Sequence, residues 1–158
     1  MTAETVRTLE ALRTRCEQDE QRAEKVLVDS TRRAEAARNA VAAIEAAERA
    51  AHTAWHDTRE RTRTAGGTVQ ALRELNVFLA HLRVEHDTAQ ATTAEAKRLL
   101  VEAETKLAAA RVSLGEARGK REAVEKRIAE QRAALERKVE ARTEDDAADA
   151  AAGRHLRG

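Results

Sequence analysis

The chain has 158 residues, 36% of them charged and 1% aromatic, with no proline, no tyrosine, one tryptophan and one phenylalanine. So few large side chains cannot fill a compact core at the density folded interiors reach, and the composition predicts one elongated all-α unit. Twenty-nine basic and 28 acidic residues nearly cancel, which argues against a uniformly basic rod for nucleic acid.

The first predicted helix covers roughly 3–63. Its apolar seam runs Leu9, Leu12, Cys16, Ala23, Leu27, Ala34, Ala37, Val41, Ile44, Ala51 and Trp55. Cys16 reads as a small buried thiol, and as the only cysteine it can form no disulfide within the chain. His52 and His56 share a helical face near Asp57 and Glu60. A stable zinc site needs three or four converging ligands, so no metal is expected. Acid-before-base pairs such as Asp29/Arg33, Glu45/Arg49 and Asp57/Arg61 line the outer faces, each worth about 0.2–0.5 kcal/mol.

Residues 64–67 break the pattern. Gly66 and Gly67 are expected to take the positive-φ conformations that end a helix and reverse the chain. A short turn between two such helices predicts an antiparallel hairpin. Folding about residue 66 places position i near 132 − i. Trp55 then approaches Phe78 and Leu79 as an aromatic plug beside the turn.

The second predicted helix covers roughly 68–144 and carries the strongest signal in the chain. Ten positions spaced by seven, from Leu72 to Leu135, hold seven apolar residues; the exceptions are His86, Thr93 and Arg121. The interleaved series Leu75, Leu82, Ala89, Ala96, Ala103, Ala110, Ala117 and Val124 is apolar throughout. A seven-residue repeat held this long keeps one narrow seam against a partner helix. The fold expected is a long antiparallel two-helix coiled-coil hairpin over 1–146.

The second helix outruns the first, so beyond about residue 130 it has no partner in the hairpin. Leu135 and Val139 continue the seam there, among Arg132, Arg137, Lys138 and Arg142. An apolar stripe with a basic rim and no partner predicts a binding surface at a C-terminal helical overhang. Residues 147–158 lose the heptad and read as a disordered tail.

Catalytic signals are missing. Gly66-Gly67 lacks the Gly-Lys-Ser/Thr of a phosphate-binding loop, and two helices enclose no pocket for paired carboxylates. The expectation is a protein that is not an enzyme and takes no cofactor. No apolar run approaches the ~20 residues needed to cross a bilayer, and Met1-Thr2-Ala3-Glu4 opens no signal peptide. A cytoplasmic protein is expected.

The stretch Leu72-Arg73-Glu74-Leu75-Asn76-Val77-Phe78-Leu79-Ala80-His81-Leu82, followed by His86 and Gln90, resembles the start of the second helix in the FliJ/YscO family. These are small coiled-coil stalk proteins of flagellar and virulence type III secretion systems. The resemblance covers about twenty residues in motif and most of the chain in layout.

It implies a hairpin whose paired termini enter the hexameric export ATPase, while other faces contact the cytosolic domain of the export-gate membrane protein and export chaperones. On that basis the ATPase contact falls to Leu9, Leu12, Arg13, Arg15, Arg132, Leu135, Arg137, Lys138, Val139 and Arg142. The family's gate-contact spacing, aromatic-x3-Leu-x2-Ala-x3-His, maps onto Leu75, Leu79, Leu82 and His86. Here the aromatic and alanine positions are both leucine.

The function expected is therefore a central stalk and adaptor, acting as a monomeric hairpin peripherally associated with a membrane export apparatus. Its rivals are a generic homodimeric coiled-coil scaffold and an amphipathic protein of nucleic acid or membrane surfaces. Interspersed charge disfavours the last, apart from 111–142, where ten basic residues meet six acidic ones.

Overall fold

A computed structural model describes residues 3–157. They form two helices, α1 (Ala3–Thr64) and α2 (Val69–His155), and no strand among the described residues. No proline interrupts either helix. The many threonines are accommodated within the helices with their hydroxyls satisfied on the carbonyl four residues back, as Thr31 on Leu27 at 2.8 Å and Thr93 on Ala89 at 3.0 Å. The two helices pack against each other, and the chain divides into two compact units. A loop unit comprises Val26–Arg111, and a terminal unit comprises Met1–Lys25 with Val112–Gly158.

In the loop unit, α2 withdraws residues from solvent at alternating steps of three and four, from Leu72 through Ala110. Leu82, Ala96, Leu107 and Ala110 are its buried apolar members. Thr93 is buried among them with its hydroxyl already bonded. On α1 the same rhythm runs from Leu27 to Thr62 and includes Ser30 and Glu48, polar positions that an apolar pattern passes over. Arg38 meets Glu104 at 3.3 Å and Lys97 meets Glu45 at 3.0 Å, so partner numbers fall along α2 as they rise along α1.

The terminal unit buries Cys16, Leu114, Ile128 and Gln131. Here Glu20 takes both Arg118, at 3.2 Å, and Arg121, while Glu24 takes Arg118 at 3.4 Å and Glu10 takes Arg132. Arg121 occupies a seam position. The hydrogen bonds it donates to Glu20 and then to Glu125 raise its pKa above the ordinary arginine value.

The link differs from the expectation. Among the described residues no glycine has a positive φ, so Gly66 and Gly67 do not form a left-handed turn. A Cβ at Gly66 would meet nothing within 4 Å. The glycines act here as poor helix formers, and Thr68 restarts the helix by accepting the Ala71 N–H at 3.2 Å. Such a cap is worth about 1 kcal/mol.

Partner positions also differ. Folding about residue 66 sets Glu45 opposite 87 and Glu20 opposite 112, whereas they reach Lys97 and Arg118/Arg121. Long side chains lean toward the N-terminus of their own helix and cover the preceding turn. In opposed helices that lean moves each ion pair several residues along. The remainder is roughly one turn of helix.

Two further corrections concern the end of α2. Its partnered stretch does not stop near 130: Gln131 is buried, Arg132 is held by Glu10 and Leu135 is half-buried. Nor do residues 147–157 form a tail without structure, because the helix continues to His155. Ala147, Ala148 and Ala150 to Ala152 supply the highest intrinsic helix propensity of any residue type, so no seam is needed to continue it.

Candidate functional site

Two places gather the residues that the sequence singles out. The first, in the terminal unit, is the end of α2. From Glu136 to Arg157 every described residue is exposed, although the helix runs on to His155. Val139 is 62% exposed. Lys138 and Arg142 are exposed beside it, and Arg137 bends back to donate from Nε to the Ala133 carbonyl at 3.3 Å.

The remaining predicted ATPase-contact residues divide by environment. Leu12 and Arg15 are exposed, whereas Leu9 and Leu135 are half-buried between the helices and Arg132 is engaged by Glu10. Arg13 takes a seam position, where its Nε is buried without a hydrogen bond and lies 3.6 Å from Glu17. The surface available to a partner is therefore Leu12, Arg15, Arg137, Lys138, Val139 and Arg142.

The second place, in the loop unit, is an aromatic cluster. Trp55 and His86 stack with ring centres 5.7 Å apart and planes 10° from parallel. His52 lies 5.2 Å from His86 and 6.1 Å from His56. The Arg59 guanidinium sits over Trp55 at 5.6 Å, a cation–π contact worth about 0.5–1 kcal/mol at an exposed site. Two wide flat rings thus fill one layer between the helices.

Trp55 does share a groove with Leu79, but Phe78 does not complete the expected plug. It is 50% exposed and lines a different groove, with Gln70, Arg73, Glu74, Val77 and His81. The Trp55–His86 stack was the missed feature. Its only sequence signal is that both residues occupy seam positions.

The predicted gate-contact residues Leu75, Leu79, Leu82 and His86 all turn toward α1: Leu82 is buried and the others are half-buried. At this end of α2 the large apolar side chains that face solvent are Val69, Val77, Phe78 and Val84. Beside the histidines, a groove open to solvent is lined by Glu45, Glu48, Arg49, His52, Thr53, His86 and Gln90. Glu45 is already paired with Lys97. Among the described residues no three His, Cys, Asp or Glu side chains are placed to hold a metal ion. No described helix is long and apolar enough to cross a membrane.

Elsewhere the ion pairs are those of solvated helix faces. Arg98 donates to Glu95 at 2.7 and 2.9 Å and to Glu102 at 3.5 Å, and Lys106 donates to Glu102 at 3.1 Å. The Arg98 hydrogen bond lowers the Glu95 pKa, and the Lys106 hydrogen bond lowers that of Glu102. A carboxylate whose folded pKa lies below its unfolded value stabilises fully above the unfolded pKa and loses that stabilisation as pH falls through the folded one. Thermal midpoints measured downward from neutrality are thus expected to fall through and below the ordinary carboxylate range. Glu95→Gln with Glu102→Gln should flatten that fall; an unchanged acid profile would show that the ladder contributes nothing.

The chain was compared with family models, with curated proteins and with solved structures, and it matches none of them.

Proposed function

We propose that this chain is an antiparallel coiled-coil hairpin that serves as a non-catalytic stalk and adaptor of a type III export apparatus, as the resemblance to FliJ/YscO proteins implies. The observation that carries the proposal is the bare end of α2, a helix that persists to His155 with every described residue beyond Leu135 exposed. A surface helix normally covers an apolar stripe; here Val139 remains open beside Arg137, Lys138 and Arg142. Inserted into the central opening of a hexameric ATPase, this end would bury Val139 and set its cations against acidic groups of the ring. Leu12 and Arg15 would border it from α1.

The three-and-four rhythm of withdrawn residues in each unit supports the coiled-coil packing, and the descending partner numbers support its antiparallel sense. Coupling to the export gate is not assigned to Leu75, Leu79, Leu82 and His86, because those side chains are engaged with α1. The test is co-sedimentation with the hexameric export ATPase in the cytoplasm-like, nucleotide-bound state. Saturation at one chain per ring is expected, and no co-sedimentation would remove the stalk role.

A further inference from the structure

The loop unit has a second face with the spacing of a helix-packing seam. On α2, opposite the residues that meet α1, ten positions from Val77 to Ala108 follow alternating steps of three and four. Seven of the ten are valine or alanine, and all ten are exposed. The three valines, Val77, Val84 and Val101, are 61–72% exposed. Thr105, also on this face, satisfies its hydroxyl on the Val101 carbonyl at 2.8 Å and demands no further partner. The corresponding outer face of α1 has one valine, Val28, and is broken by Arg32, Glu35, Arg49 and Glu60.

Only two members of the stripe are charged, Asp87 and Arg98, and they have opposite signs. We propose that this face pairs, antiparallel and two-fold, with the same face of a second copy of this chain. A two-fold axis crossing between residues 92 and 93 sets Asp87 against the second copy's Arg98, and Arg98 against its Asp87, with each Arg98 turning to that partner from Glu95 and Glu102 of its own helix. The same register sets Val84 against Val101, Val77 against Ala108, and Ala91 against Ala94. Ala80 meets Thr105, whose hydroxyl is already bonded within its own helix, and every other layer is apolar on apolar or acid on base, as a self-complementary interface requires. Parallel pairing would place Asp87 on Asp87 and Arg98 on Arg98, so the charges choose the direction. The thin alanine layers make this a concentration-dependent dimer, and the hairpin is monomeric when dilute.

This face is distinct from the end of α2 that the stalk role uses, so either proposal can fail without the other. Light-scattering mass measured from low-micromolar to near-millimolar protein should rise from 17.4 kDa toward twice that value. Val84→Glu with Val101→Glu should hold the mass at the monomer value with unchanged helical circular dichroism. Asp87→Arg alone and Arg98→Asp alone should each lose the dimer, and an equimolar mixture of the two should regain it. A mass that stays monomeric throughout, a dimer insensitive to the valine substitutions, or a mixture no better than its components would overturn the proposal.

Discussion

Ending the chain after Leu135 is expected to abolish binding to the export ATPase while leaving the packed helices intact. The last apolar residues withdrawn from solvent are Ile128, Ala134 and Leu135, and every described residue after them is exposed. Among the described residues, deleting that segment removes no buried apolar side chain and no ion pair between the helices, the last of which joins Glu10 to Arg132. The thermal midpoint should therefore stay close to that of the full chain, as expected for changes away from buried features. A cut after residue 130 is a poorer experiment, because it also removes buried Gln131 and the Arg132 ion pair. If the chain ended at Leu135 binds the ATPase as tightly as the full chain, the bare helix end is not the contact.

Leu107→Ala should be among the most damaging single substitutions. Leu107 is 4% exposed and lies in the seam of the loop unit, where alanines are its neighbours along α2 at Ala103 and Ala110. A buried leucine cut to alanine costs about 2–5 kcal/mol through lost transfer energy and the cavity left behind. A two-helix structure can close part of that cavity by drawing the helices together, so the lower half of the range is expected. At roughly 2–4 °C per kcal/mol for a chain of this size, the midpoint should drop by about 4–14 °C. Val101→Ala, on the exposed face six residues earlier, should change stability by less than about 0.5 kcal/mol. Equal effects from the two substitutions would mean that the seam is not where the packing energy resides.

The seam itself was legible because burial on a helix follows spacing, and a three-and-four rhythm leaves little freedom once many turns agree. Every member of the two interleaved series on α2 between Leu72 and Leu135 is buried or half-buried. Apolarity was a poorer guide on α1. It missed Glu20, Ser30 and Glu48, which hold seam positions, and it counted Leu12, which is 45% exposed. Glu20 is tolerated there because Arg118 and Arg121 meet it from α2, a relation across nearly a hundred residues that no local pattern encodes.

The link and the relative register were less legible for the same reason. Gly66-Gly67 marks where a helix stops but not which conformation follows, and alanine-rich layers resemble one another under a shift of one turn. The end of α2 is not legible from the seam, because a helix can continue where no seam does. In the Ala147–Ala152 stretch, propensity extends the helix without one. Of the candidate surface, the basic residues around Val139 were legible from charge and spacing. The inward turn of Leu75, Leu79, Leu82 and His86 follows from the seam, which accounts for these residues without any partner. The second stripe on α2 is weaker in hydropathy than the first and emerges only when the exposed valines are set beside the helix's inner face.

The most direct test of the stalk role is sedimentation velocity of the purified chain, alone and with the hexameric export ATPase under hexamer-forming nucleotide. The account predicts a dilute monomer that joins the ring at one copy and is lost from it when Arg137, Lys138 and Arg142 are changed together to glutamate. A chain that sediments identically with and without the ATPase would contradict it and leave a coiled-coil scaffold.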